Sequence, residues 1–310
     1  MGKFLTARIS AILIVAIAMF GLPIIALGAP SALAYTAPAR TASIYESNTS
    51  TATLTTQGEN QAGNGRSGVV ILDFGRPAAS GSTNGFVDFG GGFVSMASVL
   101  TAAKAYATAW FGYSSTSPFL VIAIGTNNSY TANSGSCPCS DQVSNLTSWG
   151  EAFAGIVNSL STFISSQGYY TQEAAGGADD AEPAFDPQWG DTHSVLVGYN
   201  TDSALTMWNY GSNESGYWTN AELLEAAWGF PDDVTVGELY TTTMASNWEN
   251  LILYDRSQST YHTDMIMYGI MTSDAYLSTA TAYNDMMTDL NAHSSTAQTG
   301  IEYVTVIING

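Results

Sequence analysis

Seven short, nearly continuous apolar runs separated by helical stripes constrain this chain more than any other feature. The clearest run is Val69-Val70-Ile71-Leu72-Asp73-Phe74, stopped by Gly75 and Pro77. Further strands are predicted at 119–124, from about 170 into 177–182, and at 205–210, 234–240, 265–271 and 303–308. Between them, Met96, Val99, Leu100, Ala103, Ala107, Trp110 and Phe111 recur at helical spacing, as do Trp149, Phe153, Ile156, Val157, Leu160 and Ile164. Thr219 and Glu222 read as a capping box, Ser246 and Glu249 as another helix start, and residues 276–290 as a last long helix. Apolar strands alternating with helices mean parallel strands covered on both faces. The expected fold is therefore α/β, a closed (β/α)8-like barrel of the TIM type. Only seven strands are evident, so the eighth is sought in an irregular stretch at 85–93. A doubly wound open sheet is the competing topology, but no dinucleotide-type glycine turn follows the first strand, and Gly90-Gly91-Gly92 reads as a loop.

The barrel is expected to occupy 67–310, after two segments of different composition. Lys3 and Arg8 precede an apolar run at 9–27, and Ala32-Leu33-Ala34 supplies small residues. This layout predicts a signal peptide over 1–34, cleaved before Tyr35, with an uncleaved anchor as the competing reading. Residues 35–66 are rich in Ser, Thr, Gly, Asn and Gln and read as a flexible linker, unless Ala42-Ser43-Ile44-Tyr45 adds a strand. Cys137 and Cys139, separated by one proline, lack the second ligand pair of a metal site and suggest a local disulfide after export.

Charge narrows the partners. Against 26 acidic residues the chain has 7 Lys and Arg, for a net charge of −19, which repels nucleic acid and gives no basic patch for an anionic bilayer. No later segment is apolar for long enough to insert stably in a membrane once the signal is cleaved. Because charged residues are only 11% of the chain, protonating the carboxylates builds up little repulsion, as suits a secreted or cell-surface protein in an acidic medium.

Metalloprotease, nucleophile-elbow and phosphate-loop patterns are all absent, and His193, His262 and His293 are scattered. Neither a metal nor a cofactor is expected. What remains is carboxylate chemistry at the C-terminal ends of the strands, where such barrels place their sites. Asp73 ends the first strand; Asp180 and Glu182 are two residues apart and share a face; Glu238 and Tyr240 do the same two strands later. Carboxyls crowded together keep one another protonated, as cleavage of a glycosidic bond requires, though the same acids could instead hydrogen-bond loop amides or bind a cation. Trp208, Tyr210, Tyr240 and Tyr268 offer rings for sugar faces, and Asn127, Asn128 and Asp179 offer polar groups for hydroxyls.

The segment Gly177-Ala178-Asp179-Asp180-Ala181-Glu182-Pro183 resembles the Asp-x-Glu strand of secreted bacterial glycoside-hydrolase-like barrels, some of them related to family-25-type muramidases. Leu72-Asp73-Phe74-Gly75 is similar to their opening strand, and Glu238-Leu239-Tyr240 with Ala245 and Trp248 to a later signature. Asp179 ahead of the motif and Phe185 in place of Trp depart from the pattern. The resemblance implies Glu182 as general acid, Asp180 as the group that orients substrate or stabilises positive charge, and Asp73 as an aid to binding or activation. The expected activity is hydrolysis of cell-wall or other polysaccharide, peptidoglycan included. The alternative is a non-catalytic barrel that binds glycan or belongs to the wall.

Overall fold

The computed structural model describes residues 35–38, 40–114, 119–129, 143–214, 216–258 and 264–310. The predicted signal peptide, Cys137, Cys139 and His262 lie outside them. The unit Tyr35–Gly310 is a closed barrel of eight parallel strands with helices between them. Its strands are β1 (Arg40–Tyr45), β2 (Gly68–Asp73), β6 (Leu120–Asn127), β7 (Glu173–Asp180), β8 (Met207–Asn209), β9 (Asp233–Glu238), β10 (Met267–Thr272) and β11 (Tyr303–Asn309), in that order around the barrel, with β11 closing on β1. The helices are α1 (Thr51–Gly63), α2 (Met96–Tyr113), α3 (Leu146–Ser166), α4 (Trp189–Asp202), α5 (Asn220–Trp228), α6 (Thr242–Ser257) and α7 (Thr279–Leu290). No described helix is long and apolar enough to cross a membrane.

The segment expected to be a linker instead supplies the first β/α unit, and with it the eighth strand. β1 pairs with β2 on one side and β11 on the other, so the barrel cannot close without it. Its apolar pattern is masked because Thr41 and Ser43 face the barrel interior, where Thr41 Oγ1 lies 3.2 Å from Thr305 Oγ1. α1 is equally hard to recognise. Its buried stripe is only Leu54, Gly58 and Ala62, and a Cβ on Gly58 would stand 2.6 Å from the Tyr106 carbonyl oxygen. Small residues at four-residue spacing let α1 press against α2 without forming an apolar stripe.

Residues 85–93, where the missing strand was sought, belong to a small antiparallel sheet inserted between β2 and α2. Its strands are β3 (Arg76–Ser80), β4 (Thr83–Val87) and β5 (Phe93–Ser95). The Trp149 indole N–H from α3 donates to the Gly85 carbonyl at 2.9 Å, and Phe86 packs edge-on against the same ring. The insertion is thereby fixed over the rim of the barrel. Two helix boundaries also differ from expectation. α4 follows the Asp-x-Glu segment unannounced by any strong stripe, and α6 starts at Thr242, four residues before Ser246. Glu249 is then not a cap: it is buried, with Oε1 2.5 Å from His293 Nδ1. The Thr219–Glu222 capping box forms as predicted.

Two apolar layers hold the fold. Between barrel and helices lie Leu72, Ile124, Phe153, Trp149, Tyr199 and Trp248; inside the barrel lie Val69, Ile71, Ala123, Ala178, Trp208, Tyr210, Val236 and Met271. The interior layer ends upward in acids, because the next inward positions at the C-terminal ends of β2, β7 and β9 are Asp73, Asp180 and Glu238.

Candidate active site

Asp180 and Glu238 reach the mouth of the barrel as the last residues of β7 and β9, only 2% and 1% exposed. Glu182 lies two residues past β7, in the coil leading to α4. One carboxylate oxygen from each of the three lies within 4.8 Å of the others. Among the described residues this is the one group of acids spaced to hold a divalent cation between them. Without one, their charges must be relieved by protons or by donors.

Donors are few, and two are tyrosines. The Tyr45 hydroxyl, at the end of β1, donates to Asp180 Oδ2 at 3.4 Å, and the Tyr240 hydroxyl donates to Glu238 Oε1. Asp180 Oδ1 is buried without a hydrogen-bond partner. Burial pushes all three acids up: Glu182 is raised to about 7, with Glu214 adding to it, while Asp180 and Glu238, repelled also by their neighbours in the cluster, go well above the ordinary carboxylate range. The Tyr240 hydrogen bond pulls Glu238 partway back. Several buried carboxyls within a few ångströms cannot all ionise at neutral pH, so the cluster retains protons there.

The backbone that carries these acids is held on both sides. The Asn128 side chain accepts from the Glu182 N–H at 3.0 Å and donates to the Glu182 carbonyl at 3.0 Å, so one buried amide takes the place of a neighbouring strand. Its amide nitrogen also donates to Thr192 Oγ1, whose hydroxyl donates to Asp186 Oδ2. Glu238 is fixed by its N–H to Gly211 O at 3.1 Å and by the Trp248 indole N–H to its carbonyl at 3.2 Å. Gly237 has no Cβ because the Trp248 ring would lie 2.3 Å from it.

Beside the acids opens a cleft of about 370 Å³, lined by Tyr45, Arg76, Asp88, Phe89, Asn127, Asp180 and Phe185 among others. Tyr45 and Phe89 stack face to face at 4.6 Å, and Phe89 and Phe185 are each about two-fifths exposed. Asn127 lines this cleft, its side-chain Oδ1 accepting from the Ser129 N–H.

Other expected site residues are placed elsewhere. Asp73 is fully buried below the mouth, where its Oδ1 accepts from the Gly75 N–H at 2.8 Å and burial raises it to about 7. It supports the floor and does not reach the cleft. Tyr210 is equally buried, its hydroxyl donating to the Thr126 carbonyl at 3.1 Å in space left free by Gly125. Trp208 points inward but down, against Tyr303 at the start of β11, and is core. Tyr268 lies at the opposite end of the barrel, stacked on Trp228. Asp179 alternates with Asp180 and so faces the helix layer; it is fully buried, both oxygens lack hydrogen-bond partners, and burial raises it to about 8. Tyr240 keeps its place at the site.

Tyr45, Phe89 and Tyr276 were not anticipated. Tyr45 was hidden in the supposed linker, and Phe89 sits in the turn between β4 and β5 of the insertion. Tyr276, nearly three-quarters exposed, follows β10 and packs against Tyr240 at 5.2 Å. Comparison of the chain with protein-family models and with curated proteins finds no match.

Proposed function

We propose that the protein is a secreted glycoside hydrolase that cleaves polysaccharide by carboxylate acid/base catalysis. The observation that carries this reading is the meeting of Asp180, Glu182 and Glu238 within 4.8 Å at the mouth of a parallel barrel. Glu182, the least buried of the three, donates its proton to the glycosidic oxygen, and the C–O bond to the leaving sugar breaks. The coupled acids share their protons; with one resting on Glu182 at the glycosidic oxygen, Glu238, whose ionised form the Tyr240 hydroxyl favours, bonds as carboxylate to the anomeric carbon, forming a glycosyl ester. Water then attacks that carbon, Glu182 takes back a proton, and the ester C–O bond breaks to regenerate Glu238. The close spacing favours this retaining course, since inversion needs carboxyls about 6.5–9.5 Å apart with a water between them. Asp180, within 4.8 Å of both and bonded to Tyr45, orients the sugar ring.

A purely binding barrel predicts acids beyond each other's reach, and the spacing weighs against it. The test is release of reducing ends by the purified protein from peptidoglycan and a polysaccharide panel, beside Glu182→Gln. Rates should fall by about 10²–10⁴-fold in the variant, with circular dichroism unchanged. Release that survives the substitution would remove Glu182 from the mechanism, and no release by the parent protein would defeat the hydrolase reading.

A further inference from the structure

The two tyrosines that touch the acids are built alike. Tyr45 directs its hydroxyl at Asp180 and lays its ring on Phe89; Tyr240 directs its hydroxyl at Glu238 and lays its ring against Tyr276. Each inner ring is therefore continued outward by a second, more exposed one, with Phe89 43% and Tyr276 72% exposed.

Strand order separates the two pairs. Tyr45 ends β1, and Phe89 belongs to the insertion that follows β2; Tyr240 follows β9, and Tyr276 follows β10. In a closed ring of eight strands, β2 and β9 are four places apart and face each other across the mouth. β7, which delivers Asp180 and leads to Glu182, stands midway between them. One aromatic pair thus flanks the acids on each side, and Phe185 adds a further ring on the β7 side of the cleft.

Flat rings with exposed faces stack on the apolar faces of sugars, and hydroxyl-bearing edges take up the sugar's hydroxyls. A pocket for the end of a chain would need such rings on one side only, closed off on the other. We propose that a polysaccharide chain lies across the mouth with sugar units stacked on both flanks of the acids, so that bonds within the chain are the ones presented for cleavage. This rests on the hydrolase reading for the cleavage, while the two-sided binding stands by itself.

Affinity electrophoresis tests the binding directly. Glu182→Gln protein is run through native gels containing glycol chitin, hydroxyethyl cellulose, β-glucan, xylan, mannan or soluble starch, with the matching hexasaccharide or disaccharide as competitor. One of these gels should retard the protein. Phe89→Ala and Tyr276→Ala should each weaken that retardation by about tenfold, the size of one lost ring contact. The hexasaccharide should compete at least about tenfold better than the disaccharide, because only it reaches both flanks. Retardation by none of the gels, equal competition by the disaccharide, or loss through only one of the two aromatic variants would each overturn the proposal. Retardation of Glu182→Gln together with no reducing-end release by the parent protein would instead defeat the hydrolase reading and leave the groove standing.

Discussion

A single phenol oxygen, that of Tyr240, donates to the Glu238 carboxylate. A hydrogen bond donated to a carboxylate favours its ionised form, and this one opposes the burial and repulsion that push Glu238 up. Tyr240→Phe should therefore raise the pH at which Glu238 ionises. The acidic limb of the profile of kcat/KM against pH, which reports the first ionisation of the coupled cluster, should move up by about one unit. An unmoved acidic limb would mean that Glu238 is not the ionised partner. Asn128 acts one step further back, through the Glu182 backbone. Asn128→Ala should lower kcat by about tenfold or more with KM little changed, and Asn128→Asp, which cannot donate to the Glu182 carbonyl when ionised, should not restore it. The acids were legible because spacing along a strand decides which face a side chain takes. Spacing says nothing about height along the barrel axis or about the way a long side chain leans. Trp208 and Tyr268 therefore read as mouth residues although one packs down toward Tyr303 and the other lies at the far end.

At the scale of elements, the decisive piece is the first β/α unit, β1 with α1. A chain beginning at Ser67 lacks a strand with two parallel neighbours and should fail to give the near-ultraviolet circular dichroism of a packed core, whereas one beginning at Tyr35 should give it. A native-like spectrum from the shorter chain would show that the barrel tolerates a gap. Gly58→Ala puts a methyl against the Tyr106 carbonyl and should cost about 1–3 kcal/mol in urea unfolding. Strands such as β2 and β6 were plain in the sequence because they are apolar on both faces. β1 was not, since its inward positions are Thr and Ser, and α1 was not, since it packs through Gly and Ala. The inserted sheet escaped notice for another reason: its strands are short and antiparallel, and nothing in their pattern distinguishes them from an irregular eighth strand.

The whole molecule carries an unusual load of buried acid. Burial first, and neighbouring carboxyls next for most of them, raise Glu46, Asp73 and Glu182 to about 7 and Asp179 and Glu173 to about 8, from ordinary values near 4. The folded chain then binds more protons than the unfolded one between about pH 4 and pH 8, so the stability present at the acid end is lost as pH rises through that window. Tm should therefore fall from about pH 4 to about pH 8, the reverse of ordinary acid denaturation. Glu173→Gln, remote from the mouth at the start of β7, should raise Tm at the alkaline end and change it little at the acid end. A Tm that rises with pH would contradict the acid burial described above. The closure of the ring has a different consequence, one of time. Thr41 and Thr305 meet across the β1–β11 seam although 264 positions separate them along the chain. Until its last strand is available, every earlier strand can be in place and the ring still lacks its seal, with the flanks of β1 and β10 open to stray pairing. Refolding from denaturant should consequently end in a slow phase in which the seam closes, and a chain emerging from synthesis would remain unfinished until β11 is free to pair.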